Sequence, residues 1–224
     1  MKLLSLFALL SLGFGLQAQT KKLTDFSELK ISGRMEATLY ASDSNYLEVL
    51  NKGKDVDLEK LELIYKGDEL VIKYLGSTLM KKDIKLAIYT KGLQQISANQ
   101  GATITSDDSL IHKGEKLNLE VFAGGTIDVS VSTKWIEANI NQGGSISLKG
   151  NTDYLDLSIA TGGYIAASFL AAKKIKAEIK FGGEIICHPT EYLDAKIVSG
   201  GVINYKGNPE VKKKIKLGGK VIQL

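Results

Sequence analysis

The chain has 224 residues and a single cysteine, Cys187, so it cannot form an internal disulfide and must hold its fold by packing and backbone pairing alone. Arg34 is its sole arginine. Recognition of phosphates and base edges leans on the planar guanidinium, so nucleic acid is not the expected ligand. The two histidines, His112 and His188, and the lone cysteine lack the spacing of a structural zinc site, so no transition metal or other cofactor is expected. Neither sign of charge dominates. The net charge of +4 falls to +3 without Lys2 and argues little for an anionic partner. The two prolines, Pro189 and Pro209, are expected at turns, where a missing N–H does least harm.

A long hydrophobic span is also missing. The apolar run from Leu3 to Leu16 is broken by Ser5, Ser11, Gly13 and Gly15 and is short for the roughly 20 residues a membrane crossing needs. Met1-Lys2 before it and Gln17-Ala18-Gln19 after it complete the charged, apolar and small-residue zones of a secretory signal, with cleavage expected after Ala18. Residues 1–18 therefore read as a signal peptide and 19–224 as one exported domain, in the periplasm, on the outer surface or outside the cell, with no membrane span left after cleavage. No cysteine near the cut supports a lipid anchor.

What the chain has in excess is glycine, arranged in pairs. Gly124-Gly125, Gly143-Gly144, Gly162-Gly163, Gly182-Gly183, Gly200-Gly201 and Gly218-Gly219 recur at intervals of 19, 19, 20, 18 and 18 residues. A fixed period of this size signals a stacked repeat. Counting back from the first glycine, the seventh residue is always apolar (Leu117, Ile136, Leu155, Ile175, Leu193, Val211), and so is the third (Val121, Ile140, Ile159, Ile179, Ile197, Ile215). The fifth is small or apolar except at Lys213, and polar residues such as Asn118, Glu120, Glu137 and Asn139 lie between. That alternation is a strand with one buried face and excludes a helix. After each pair comes a second apolar slot, from Ile127 to Val221, followed two residues on by Val129, Leu148, Ala167, Cys187 and Tyr205. Each rung thus has at least two inward-facing strands, and the glycine pairs are turns between them. Parallel stacking of coil on coil follows: an all-β, parallel β-helix (solenoid) with about 18–20 residues per rung.

Gly101-Ala102 marks an earlier rung, and its distance to Gly124 places inserted residues within Ser106 to Gly114. Ser32-Gly33 fits the same slot more loosely. Between them Tyr46–Leu50, Leu61–Lys66, Glu69–Tyr74 and Ile84–Thr90 alternate as strands, with Lys66-Gly67-Asp68-Glu69 as a hairpin turn. Residues 26–92 read as a strand-rich first half covering one end of the coil, and 93–224 as the Gly-Gly repeat. Asp55 to Lys60 reads as a single helical turn.

With these residues in view, the chain resembles the bacterial head GIN domain family, labelled "putative auto-transporter adhesin" and formerly a domain of unknown function. The resemblance runs from about Phe26 to Val221. It rests on Phe26-Ser27-Glu28-Leu29-Lys30-Ile31-Ser32-Gly33, on the small-Gly-Gly-x-Ile rungs, and on Gly200-Gly201-Val202-Ile203-Asn204-Tyr205-Lys206-Gly207-Asn208-Pro209 followed by Lys216-Leu217-Gly218-Gly219. It implies an exported β-helical protein and, through the label, an adhesin. It supplies no catalytic residue. The family corner is often Ser-Gly-Ser-Gly, whereas this chain keeps a bare Gly-Gly.

The residues themselves leave two functions to weigh. The first is a non-catalytic cell-envelope module that binds a surface glycan or an envelope protein. Eight residues before each pair stand Lys116, Trp135, Tyr154, Lys174, Tyr192 and Glu210. Trp135 and Tyr154 are expected to stack as neighbours, forming with Lys174 and Tyr192 either a flat aromatic strip for sugar faces or a structural seal on a corner of the coil. The second is a polysaccharide lyase or hydrolase on the same scaffold. It needs converging carboxylates among Glu120, Glu137 and Asp156 on one face and Asp128 on another strand, and no arginine or lysine stands obviously poised among them. No enzyme is expected. Cys187 falls in an inward slot and His188 on the opposite face, so they read as core and surface rather than a nucleophile–base pair. Lys212, Lys213, Lys214, Lys216 and Lys220 form a basic patch, either a guard against strand addition or an attraction to an acidic surface.

Overall fold

The computed structural model describes residues 19–51, 60–75, 84–107 and 115–224. The expected signal peptide, the helical turn from Asp55 and most of the insertion before Gly114 lie outside these residues. The described elements are strands. The first ten are β1 (Gln19–Lys22), β2 (Glu28–Ser32), β3 (Met35–Ala41), β4 (Tyr46–Val49), β5 (Leu61–Lys66), β6 (Glu69–Tyr74), β7 (Ile84–Thr90), β8 (Gln95–Asn99), β9 (Thr103–Ser106) and β10 (Lys116–Phe122). Four long strands follow, β11 (Thr126–Gln142), β12 (Ser145–Thr161), β13 (Tyr164–Phe181) and β14 (Glu184–Ser199), then β15 (Val202–Tyr205), β16 (Glu210–Leu217) and β17 (Lys220–Gln223). No helix among the described residues is long and apolar enough to cross a membrane.

The long strands are the repeat. Each leaves one glycine corner, runs along one wall of the coil, bends, and returns along the opposite wall to the next corner. Neighbours pair in parallel and nearly residue for residue, as in Ile127↔Ile146, Ile136↔Leu155 and Ile140↔Ile159. Like side chains therefore stack on like: Val121, Ile140, Ile159, Ile179 and Ile197 form one buried column, and Leu117, Ile136, Leu155, Ile175 and Leu193 another. Each full burial of such a side chain contributes about 1.5–3 kcal/mol. Pro189 stands opposite Ala172 at the far bend of β14, inside the strand, and Pro209 lies between β15 and β16.

The first half does more than cover an end, because most of it is coil. The β2–β3 unit turns at Gly33 and stacks in parallel on the β8–β9 unit on one side and on the β6–β7 unit on the other. The earliest rung in sequence is thus sandwiched between two later ones. Ser32-Gly33 does occupy the corner slot, with Gly33 N–H bonded to the Asn99 carbonyl at 3.2 Å. Among the described strands, only β1, β4 and β5 join by antiparallel pairing: β5 lies at the edge of the first wall beside β6, and β4 with β1 lies at the edge of the second beside β7. The hairpin from Lys66 to Glu69 forms as expected, with Gly67 at φ 61°.

The corners keep the hydrogen-bond ladder intact. Gly143 N–H donates to the Thr161 carbonyl and the Gly144 carbonyl accepts from Tyr164 N–H, at 3.0 and 3.1 Å, and the lower pairs repeat the scheme. The two glycines differ in what they exclude. At Gly143, φ is 61° and an added Cβ meets nothing within 4 Å. At Gly144, φ is 108° and a Cβ would press on the Gly125 carbonyl oxygen and lie 2.5 Å from Val121 Cγ1. One pair departs from this pattern. At Gly124-Gly125 the left-handed residues are Ala123 (φ 49°) and Gly124 (φ 78°), while Gly125 is needed only because a Cβ would strike Ala98.

Gly143→Ala is therefore expected to lose about 1–2 kcal/mol, the strain of a left-handed alanine. Gly144→Ala should lose more than about 4 kcal/mol, beyond the ordinary range of single substitutions. Urea unfolding of the two variants, followed by circular dichroism, checks the difference; equal losses would contradict the corner geometry.

Candidate functional site

Because the strands alternate, every second residue faces out, and the outward residues of successive rungs form columns. Lys116, Trp135, Tyr154, Lys174 and Tyr192 are consecutive register partners in one such column on the first wall. The Trp135 and Tyr154 ring centroids are 5.7 Å apart with planes inclined by 35°, so the pair is tilted rather than flat. The rings remain 44% and 46% exposed. Lys116 Nζ lies 5.6 Å from the Trp135 ring and Lys174 Nζ 5.8 Å from the Tyr154 ring, within cation–π range.

Two residues along each strand runs the next column. Asp156, Lys176 and Asp194 stand in it side by side, and the space between the columns is a groove of about 380 Å³ lined by both, with Leu155 and Ile175 at its base. The groove holds two carboxylates, two lysines and three aromatic rings, so its formal charges cancel. Lys176 donates to Asp156 at 2.8 Å, and that hydrogen bond pushes the Lys176 ammonium pKa up. The arrangement offers apolar ring faces beside alternating donors and acceptors.

The four carboxylates do not all converge. Glu137 and Asp156 are register partners, but Glu120 belongs to a neighbouring column opposite Asn139, and Asp128 lies on the other wall. Contrary to the sequence expectation, lysines do stand among them, contributed by adjacent rungs: Lys116 on Glu137 at 2.7 Å, Lys176 on Asp156 at 2.8 Å and Lys149 near Asp128 at 3.6 Å. The bond from Lys116 holds the Glu137 carboxyl below its usual pKa, the opposite of what a general acid needs. These pairs form a charge ladder between rungs. Each exposed pair contributes at most about 1 kcal/mol, yet together they oppose register slips.

Cys187 is fully buried, its Sγ 3.7 Å from the Asn204 carbonyl, and burial pushes its thiol up to about 12. A thiol so protonated is not a nucleophile. Sequence reasoning missed a second aromatic group: Tyr40, Tyr89 and Tyr46 stack across β3, β7 and β4 with centroids 5.0 and 4.0 Å apart and planes within 20°. Those rings cover one another's faces, so they brace the wall and leave no platform. Nor did it single out Phe169, lifted by a bulge in β13 to 75% exposure under Lys206.

A family model described as "Putative auto-transporter adhesin, head GIN domain" matches residues 25–209. Among solved structures, the chain is similar to a "putative adhesin" of Bacteroides fragilis, with 22% identity over 93% of this chain and 96% of that one and a TM-score of 0.75. It is similar to another of Parabacteroides merdae, with 23% identity, 93% and 95% coverage and a TM-score of 0.69. A "putative lipid binding protein" of Parabacteroides distasonis shares 18% identity at 93% and 96% coverage, with a TM-score of 0.66. At these identities the likeness is one of fold. No curated protein matches the chain.

The Cys187 environment carries a pH signature. The thiol ionises at about 9 in the unfolded chain and about 12 in the folded one, so its contribution is complete below pH 9 and is lost as pH rises through that window. Stability measured by urea titration is expected to fall more steeply with alkali in the native sequence than in Cys187→Ala. A disulfide reagent should label the folded protein only after denaturant is added; prompt labelling of the native state would refute the buried thiol.

Proposed function

As the chain belongs to the head GIN domain family, we propose that it acts as an exported, non-catalytic adhesin of the cell envelope whose first wall holds a surface glycan in the groove of Trp135, Tyr154, Lys174 and Tyr192. The observation that carries this reading is the pair of half-exposed rings over a charge-balanced groove. The C–H faces of a sugar ring bind aromatic faces, and its hydroxyls bind donors and acceptors such as Lys176 and Asp194. Balanced charge favours a neutral saccharide over a polyanion.

The coil beneath supports this role by its rigidity. A ligand that meets rings already held by paired strands leaves fewer side chains to be ordered on binding. The family label supports an adhesin, and the secretory pattern at Met1–Ala18 supports export. The lyase or hydrolase alternative is less well supported, since Glu137 and Asp156 are each bonded to a lysine and Asp128 is on the other wall.

Trp135→Ala with Tyr154→Ala should keep the β-sheet dichroism and the melting temperature within a few degrees, because both rings are half-exposed and lie outside the buried core, while retention on an array of bacterial surface glycans is lost. Unchanged retention by a folded double variant would exclude the aromatic groove as the binding site.

A further inference from the structure

We infer that the same wall carries a second, amide-lined subsite around Gln100, and that the ligand is a neutral, linear chain of several sugar units spanning both. This inference rests on the glycan reading of the aromatic groove. The second groove, of about 340 Å³, is lined by Lys30, Ser32, Asn99, Gln100, Glu120, Phe122 and Asn141. These residues come from β2, β8, β10, the corner after β8 and the returning half of β11, which are adjacent on the first wall. The aromatic groove begins on that same half of β11 and continues through β12 to β14. With strands about 4.8 Å apart and residues rising about 3.3 Å, the two groove centres lie about 20 Å apart along a diagonal of one continuous face. The wall between them is polar, with Asn139 bonded to Glu137, and with Asn118, whose buried Oδ1 has no partner among the described residues.

The lining is suited to hydroxyl groups. Three side-chain amides, a serine and a 42% exposed phenylalanine surround the groove, and the single lysine and glutamate cancel. Amides present a donor and an acceptor side by side, which matches neighbouring hydroxyls on a sugar ring, and Phe122 offers an apolar face. A chain joined through equatorial positions is flat enough to lie along a sheet.

Gln100 supplies an independent reason to assign a role here. Its φ is 53°, a left-handed value that the next corner gives to Ala123 and the later corners to glycine, and its Oε1 accepts a bond from Ser32 Oγ at 2.8 Å. Glycine would occupy this backbone position without strain. Unlike the methyl group of Ala123 in the corresponding position, its amide side chain lines a groove.

Titration of the protein with cello- and xylo-oligosaccharides from the disaccharide to the hexasaccharide tests this. Affinity should rise with length by about tenfold or more, the scale of one or two added hydrogen bonds. Gln100→Gly with Asn141→Ala should remove that gain and leave disaccharide binding unchanged, and Phe122→Ala should reduce it. Gln100→Gly alone should melt at or above the native temperature, which separates lost binding from lost folding. A folded double variant that keeps the full length dependence, or a native protein that shows none, overturns the second subsite. If the disaccharide still binds and Trp135→Ala with Tyr154→Ala abolishes that binding, the aromatic groove survives that result. Absence of saccharide binding altogether overturns the glycan reading and this inference with it.

Discussion

The rest of this molecule depends on an inter-rung hydrogen-bond ladder that does not stop at the corners. In most sheets a turn interrupts the pairing and leaves backbone groups to be satisfied by side chains or water. Here the corner glycines keep bonding to the rungs above and below, so the coil closes without an unpaired seam on that side. This requires the second glycine of a pair to lie against the carbonyl of its predecessor, which is why a side chain is excluded there. With no disulfide available, the ladder and the stacked isoleucine and leucine columns are what hold one rung to the next.

Such a scaffold separates two demands on the sequence. Inward positions repeat because each must match its neighbour one rung away, while outward positions are free to differ. On the first wall that freedom is used in two ways: one column alternates aspartate, lysine and aspartate at Asp156, Lys176 and Asp194, and the column beside it gathers Trp135, Tyr154 and Tyr192. Charge pairing pins the register, and the aromatic groups give the surface a chemical character. Neither disturbs the core, because alternate residues on a strand point to opposite sides.

Much of this was legible in the chain itself. The glycine spacing gave the register, hence the inward columns, the burial of Cys187 and the contact between Trp135 and Tyr154. Even the bulge at Phe169 has its trace in the 20-residue interval between Gly162 and Gly182. The pair of Lys116 and Glu137 was missed because the two are 21 positions apart and sit in different columns, a diagonal that a column-by-column reading does not cross, whereas Lys176 and Asp156 share a column and were within its reach. The strained backbone at Gln100 leaves no mark in a period count. The order of the first rungs was hidden for a different reason: β2, β6 and β8 pair out of sequence order, and periodicity identifies strands without saying which lie side by side.

That order makes the coil asymmetric in time as well as in space. The β2 strand gains its neighbours only when Glu69–Tyr74 on one flank and Gln95–Asn99 on the other have been made. A chain emerging N-terminus first must therefore carry its earliest strands unmated until three rungs close together as a seed, a step burdened by long-range loop closure. From there each later rung docks on the one just completed, in the order of synthesis, as a zipper does. Dismantling runs in reverse: the C-terminal rungs can peel away one by one, whereas the interleaved end is released only as a unit.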